Sequence, residues 1–566
     1  MQSALTRRIF EQRWLVATMA VLAGGLAVRL PALSQGYWFD EVVSAVTARL
    51  PVGDLLFRSA FHDSHSPLYY LLLSAWTGLF GQAEWVARLL SLLFAMSTLV
   101  LLAIWVRGRG QWAAFLAVCL LSLSTFHAHY SVEVRAYGLV AFLVLAYLIL
   151  AEKVGDTPDV PLRNWVLLGV VQCLTVLSSG YTVPLVLAAN LHFFTARKRG
   201  RGRLLRWALV QIWSLAACSV WLPVLMVQWF KFPGEPMTDE GTASLVVDLL
   251  MYLGLSTVHP SQVVTVVGTV LPLAAAAVAI VQRLRHGSLP GEEPDSSANG
   301  QPVSLAARVQ LGLGVVACLG GPLLSVVAIP TTETTLPLLV GELARSYPLI
   351  IGALFLLLVG PMVNSSLLSR GHGLPMLPFV VLLSLLSLGA MFFLHKPFHP
   401  RQVLFLVPLL YALAASAWHP MGMMGKAAVA ALLLALTGPA LTDRELAFEP
   451  RTDLRSAAQL ISTRVPDRSQ AQPVFVIPMW DRPALEFYLG EDRAEGIMIP
   501  QRISQAALAA ESVTLVLTRE AFEQSDAFRK SVAHLLGRRF QLKETGRFRG
   551  VFVACFVRSQ KIGATP

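Results

Sequence analysis

Apolar runs of about twenty residues recur along most of this 566-residue chain, and they constrain its fold more than any other feature. A run of that length matches the roughly 30 Å hydrocarbon layer of a bilayer, where a helix satisfies its own backbone groups. Charged residues make up only 14% of the chain, against about 25% in soluble proteins. The chain therefore reads as a polytopic α-helical integral membrane protein.

Apolar windows set against basic loops give about thirteen spans. They fall near residues 14–33, 84–106, 111–128, 134–151, 164–179, 181–195, 205–228, 261–281, 307–330, 347–364, 374–394, 402–418 and 425–441. Much of the net charge of +11 lies in Arg107-Gly108-Arg109, in the run from Arg197 to Arg203, and in Arg283-Leu284-Arg285. Short basic loops face the cytoplasm, which orients the set. Each cluster abuts an apolar span, so no nucleic-acid partner is expected. Arg7, Arg8 and Arg13 ahead of an apolar run imitate a signal peptide, but Arg29 interrupts its end, and the first span is expected to be kept.

With a cytoplasmic N-terminus and an odd count, the C-terminal region lies outside, and if the chain is bacterial the membrane is the inner one. Residues 67–80 are apolar but too short to cross, and they read as an interfacial helix within a first outer loop of about 34–83. Residues 286–305 read as a polar cytoplasmic linker. After residue 445 the composition becomes that of a soluble domain. Strands are expected at 474–477 and 513–517, with a closing strand pair over 540–557 around Arg549-Gly550. The expected division is a membrane domain over 1–444 and a small extracytoplasmic α/β domain over 445–566. Five cysteines show neither metal-site nor disulfide spacing and read as packing residues.

Carboxylates at a membrane boundary point to chemistry on a lipid-borne substrate. Asp40 and Glu41 follow Trp38 just after the first span, where a helix cap is the plainer reading. Glu133 sits at a span end two residues before Arg135, and such a carboxylate is either paired or functional. His62, Asp63, His65, His127 and His129 add titratable groups, so a divalent ion held by Asp40, Glu133 and His65 is a candidate cofactor, although the spacing matches no defined motif. No organic cofactor is expected. Lys396 and Arg401 belong to a basic cluster at the outer end of a late span, suited to phosphate or to lipid headgroups.

Three stretches carry a resemblance. They are Trp38-Phe39-Asp40-Glu41 through His65-Ser66-Pro67-Leu68-Tyr69-Tyr70 to Arg88-Leu89-Leu90-Ser91, then Tyr130-Ser131-Val132-Glu133-Val134-Arg135-Ala136-Tyr137, then Pro400-Arg401-Gln402-Val403. Together they resemble the GT-C polyprenyl-phosphate-sugar glycosyltransferases, the superfamily of protein O-mannosyltransferases and lipid A aminoarabinose transferases. Ser66, Val132 and Gln402 depart from the family pattern. The resemblance implies Asp40 as catalytic base or metal-proximal acid, Glu41 as its support or partner, and Glu133 as a second acid facing the reaction. It places His65 near the donor phosphate and gives Arg135 and Arg401 the steadying of phosphate or of the acid cluster. The implied partners are a polyprenyl-phosphate sugar donor, a glycan, lipid or protein acceptor, and membrane lipids. The implied reaction is an inverting hexosyl or pentosyl transfer at the outer face. A lipid-linked-sugar flippase is the main rival, but it calls for mid-membrane charges and internal repeats that are not visible here. A non-catalytic polysaccharide-assembly protein is the other.

Overall fold

The structure is a computed structural model. It describes residues 2–61, 63, 65–157, 159–195, 201–221, 224, 384, 400–418, 452–464, 473–477, 481–490, 493–496, 510–518 and 540–558. The expected spans eight to eleven and thirteen, the 286–305 linker, His62 and Lys396 lie outside the described residues.

The chain divides into two units. The first comprises Met1–Leu30, Val52–Leu71 and Leu90–Phe448. Its helices are α1 (Gln2–Arg29), α3 (Val52–Phe61), the first turn of α4 (Leu68–Phe80), most of α5 (Glu84–Arg107), α6 (Gln111–Leu123), α7 (Thr125–Ser131), α8 (Tyr137–Asp156), α9 (Leu162–Ser178), α10 (Val183–Thr195), α11 (Arg201–Cys218) and α12 (Val407–Trp418). A 3₁₀ turn, Pro400–Leu406, leads into α12.

By length and apolarity, Trp14–Ser34, Glu84–Arg107 and Tyr137–Gly155 each suffice to cross a membrane. The protein is thus mostly helical over this unit, with several apolar helices, as the sequence leads one to expect. Helix α6 packs on α1 and α12, while α9 packs on both α8 and α11. Close approach needs small residues: a Cβ on Gly138 would meet the Ser91 carbonyl at 2.9 Å, so α8 can lie tight against α5 only with glycine there.

The third expected span is not one straight helix. The pair α6 and α7 bends by 66°. Ser124 causes the break: its extended backbone (φ −63°, ψ 113°) ends α6, and its hydroxyl accepts the His127 amide to cap α7. The Tyr411 hydroxyl bonds Ser124 as well, fastening α12 to the break. The fourth helix begins at Tyr137 rather than 134, because 132–135 form bends, and the seventh begins at Arg201 rather than 205.

The second unit comprises Pro31–Pro51, Leu72–Leu89 and Glu449–Pro566. It holds α2 (Phe39–Ala48), the rest of α4, the start of α5, α13 (Leu454–Arg464), α14 (Arg482–Leu489) and a five-stranded sheet. Residues 67–80 do form a helix, α4, and Gly81 (φ +99°) ends it in a backbone conformation that favours glycine.

The strands are β1 (Val474–Ile477), β2 (Glu495–Gly496), β3 (Ser512–Thr518), β4 (Phe540–Phe548) and β5 (Val551–Arg558), in the order β2-β1-β3-β5-β4. β1 is parallel to β2 and β3, and β5 is antiparallel to β3 and β4. β1 and β3 are continuous apolar runs because they are buried along nearly their whole length. Gly550 (φ +65°) turns the β4–β5 hairpin at the dipeptide the sequence singles out. Phe475, Ile477, Val513, Leu515, Leu517, Phe540 and Phe556 form one core. α13 packs on α14, β4 and β5, and α14 packs on α2.

Candidate functional site

In the first unit, charged groups gather around the bends that follow α7. Arg135 is buried, and its Nη1 donates to the Tyr70 hydroxyl at 2.9 Å. That hydroxyl in turn donates to Asp63 Oδ2 at 2.7 Å. His65 Nδ1 meets Asp63 Oδ1 at 2.8 Å, and the His65 amide donates to the same oxygen at 3.1 Å. The order of donors is therefore Arg135 to Tyr70 to Asp63, with His65 closing on Asp63 from the other side.

An ionised Asp63 only accepts, so His65 Nδ1 carries the proton that faces it. The contact of 3.5 Å between Arg135 Nη1 and His65 Nδ1 then sets two donors together and adds little. Burial alone would push the Asp63 carboxyl up. The His65 charge and hydrogen bond, then the Arg135 charge and the Tyr70 hydrogen bond, outweigh it and hold Asp63 well below the usual carboxylate range. Ser59 fixes the loop by donating to the His65 carbonyl at 2.7 Å, and Tyr69 meets Ser91 at 2.6 Å.

Glu133 is fully buried, and its carbonyl accepts the Arg135 amide at 2.7 Å. A second buried cation, Arg29 at the end of α1, bonds Ser131 and His127, which precede Glu133 in the chain. Arg29 Nε donates to Ser131 Oγ at 3.0 Å, its Nη1 donates to the carbonyls of Gly25 and Ser122, and its Nη2 donates to His127 Nδ1 at 3.0 Å. Since Arg has no acceptor, His127 must present a bare Nδ1 and carry its proton on Nε2. Arg401 lies half-buried in the 3₁₀ turn, which packs on α7 and α8, the helices that bracket Glu133 and Arg135.

In the second unit, Asp40 lies in the first turn of α2, where the helix dipole favours a carboxylate. Glu41, expected to support Asp40 or share its role, forms a fully buried ion pair. Arg88 Nε meets its Oε1 at 3.0 Å and Arg88 Nη2 its Oε2 at 2.5 Å, while Oε2 also receives the Trp38 amide at 3.4 Å as a helix cap. Its geometry is that of an anchor. Arg88 also donates to the carbonyls of Leu33 (3.3 Å), Gln35 and Gly36 (2.9 Å).

Sequence reasoning placed His65 and Arg135 in one role and the structure brings them together. It noticed Asp63 only as one more titratable group and missed Tyr70, although Tyr70 stands inside a quoted motif. Asp40 belongs to one unit, and Glu133, His65 and Arg135 to the other. Among the described residues, no group of three or more His, Cys, Asp or Glu side chains stands close enough to hold a metal ion.

The fold and these clusters define a multispanning helical membrane protein with buried charge at its helix ends. Residues 64–227 match the family model of dolichyl-phosphate-mannose-protein mannosyltransferases, a stretch that includes His65, Tyr70, Glu133 and Arg135. The chain thus resembles the GT-C polyprenyl-phosphate glycosyltransferases, as its motifs led one to expect. No curated protein sequence matches it.

Among solved structures, it is similar to ArnT from Cupriavidus metallidurans bound to undecaprenyl phosphate, with 15% identity over 96% of this chain and 98% of that one and a TM-score of 0.43. The archaeal oligosaccharyltransferase AglB from Archaeoglobus fulgidus gives 11% identity, 98% and 75% coverage and a TM-score of 0.45. The mycobacterial arabinofuranosyltransferase AftD gives 14% identity, 97% and 40% coverage and a TM-score of 0.44. Residue roles therefore rest on this chain's own geometry.

Proposed function

We propose that this protein is an integral-membrane glycosyltransferase that moves a sugar from polyprenyl phosphate to a hydroxyl of a glycan, lipid or protein. The observation that carries the reading is Arg135, a buried guanidinium oriented by Tyr70 and Asp63, beside His65 and within the family-matched stretch. A buried arginine of this kind grips phosphate oxygens and stabilises charge developing on them. Asp63, held ionised, keeps Tyr70 turned so that its hydroxyl oxygen receives Arg135.

In the proposed reaction the acceptor oxygen attacks the anomeric carbon as the bond from that carbon to the phosphate oxygen breaks. The acceptor proton passes to the Asp40 carboxylate. The bonding pair leaves with the polyprenyl phosphate, whose charge Arg135 receives, with His65, Lys396 and Arg401 assigned to the same phosphate. Direct displacement inverts the anomeric centre. Glu133 serves as the second acid, and Glu41 holds Asp40's helix rather than reacting. A divalent ion would assist departure of the phosphate, and chelation by EDTA tests that part of the proposal.

The proposed topology has about thirteen spans, a cytoplasmic N-terminus, a membrane domain over 1–444 and an outer α/β domain over 445–566, in the inner membrane of a bacterium. Donor binding tests the carrying observation. Titration of purified protein with a polyprenyl-phosphate sugar, followed by tryptophan fluorescence, should show Arg135→Gln weakening binding by about tenfold or more. Equal affinity for the two proteins would remove Arg135 from the donor site and with it the main support for this reading.

A further inference from the structure

The stretch that leads into α2 has almost no backbone structure of its own. Residues 35–38 lie between a 3₁₀ turn and the helix and are assigned to neither, although the Gln35 amide reaches back to the Ala32 carbonyl (3.3 Å) and the Trp38 carbonyl accepts the Val42 amide (3.0 Å). A carbonyl or amide in such a stretch needs a partner from elsewhere. Part of that need is met by Arg88, which gathers the carbonyls of Leu33, Gln35 and Gly36. A further part is met from the C-terminal segment. Arg455, in α13, donates to the carbonyls of Ser34 (3.4 Å) and Gln35 (3.0 Å). The Tyr488 hydroxyl, in α14, accepts the Tyr37 amide at 2.6 Å.

Both residues also converge on one carboxylate. Tyr488 donates to Glu84 Oε1 at 2.5 Å, and Arg455 pairs with Glu84 Oε2. Tyr488 is thus an acceptor from the loop and a donor to Glu84 at once, a double role that a neutral phenol performs. Burial raises its pKa above the ordinary tyrosine value, which keeps it neutral. The neighbouring Phe487 ring lies 5.7 Å from that of Tyr37 and 5.0 Å from the Arg49 guanidinium. Gly36 leaves room for the whole arrangement: a Cβ there would stand 3.2 Å from Arg455 Cβ and 3.5 Å from the Tyr488 hydroxyl.

We infer that Tyr488 and Arg455 are positioning residues for Asp40: they fix the entry to α2, and so the C-terminal segment sets where the proposed base points. The inference rests on the reading of Asp40 as base. It makes the C-terminal segment part of the catalytic apparatus without giving it a reacting group. Misplacing a base by about 1 Å costs on the order of a hundredfold in rate. Losing two of the several bonds that hold the entry should cost about tenfold.

The test uses full-length protein carrying Tyr488→Phe, which keeps the ring and removes both hydroxyl bonds. Sugar transfer from a polyprenyl-phosphate sugar should show kcat reduced about tenfold, with donor KM within about twofold of wild type. Amide hydrogen exchange over residues 33–41 should accelerate while exchange over β3 stays unchanged. Gly36→Ala, which crowds the same two residues from the loop side, should give the same pattern. A kcat within twofold of wild type, unchanged exchange over 33–41, or exchange rising equally in β3 would each overturn the inference, the last by showing general loosening. If the wild type itself transfers no sugar, the proposed function fails, while the exchange comparison still decides whether Tyr488 holds the entry to α2.

Discussion

Replacing Glu41 by Gln should destabilise this protein more than almost any other single carboxylate change. Both members of the Glu41–Arg88 pair are fully buried, and two parallel bonds join them. Removing one member of a buried pair leaves the other charge in low dielectric, at about 3–5 kcal/mol. An isolated pair can be exchanged for apolar residues of similar size with little loss. This one cannot, because Arg88 also donates to three backbone carbonyls, of which Gln35's alone keeps the Arg455 donor described above when Arg88 is lost. Each carbonyl left bare costs about 1–3 kcal/mol. The double variant Glu41→Leu/Arg88→Met should therefore recover less than half of the loss seen in Glu41→Gln. Equilibrium unfolding in mixed micelles, followed by tryptophan fluorescence, measures both. A Glu41→Gln protein within about 1 kcal/mol of wild type, or a double variant as stable as wild type, would refute the reasoning.

Three further outcomes follow from the first unit. Tyr70→Phe breaks the link between Arg135 and Asp63 and should raise donor KM about tenfold in steady-state transfer assays. Asp63 has a folded pKa below its unfolded value near 3.9, so its contribution is full above that value and is lost progressively as pH falls from there toward the folded pKa; the destabilisation by Asp63→Asn should be constant from about pH 7 to pH 5 and start to shrink below about pH 4, and melting curves of both proteins from about pH 7 to pH 3 check this. Arg29→Lys keeps the charge but loses the fork to Ser131, His127 and two carbonyls, and should cost about 1–3 kcal/mol in the same unfolding assay.

Features with a local signal were legible in the sequence. Apolar length placed helices α5, α8 and α9 to within a few residues, and continuous apolar runs placed β1 and β3. The bend after α6 was hidden because a hydropathy window averages over one serine, although Ser124-Thr125 is a helix-start signal in retrospect. His65 and Arg135 carried a motif, but Tyr70's place in the relay depends on a partner 65 residues away. The pairing of Glu41 was not legible because its partner Arg88 lies 47 residues on. Nothing in the sequence near Tyr488 or Arg455 announces their contacts more than 400 residues back, since only the tertiary fold creates them.

Sugar transfer by the purified protein, wild type beside Asp40→Asn, tests the central claim most directly. A panel of polyprenyl-phosphate sugars would be offered with membrane-extract acceptors, with and without EDTA, and the release of polyprenyl phosphate followed with the glycosylated product. The account predicts transfer by the wild type and its loss in a folded Asp40→Asn protein. Undiminished transfer by Asp40→Asn would contradict Asp40 as the base, and no transfer by the wild type across the panel would contradict the assignment as a glycosyltransferase.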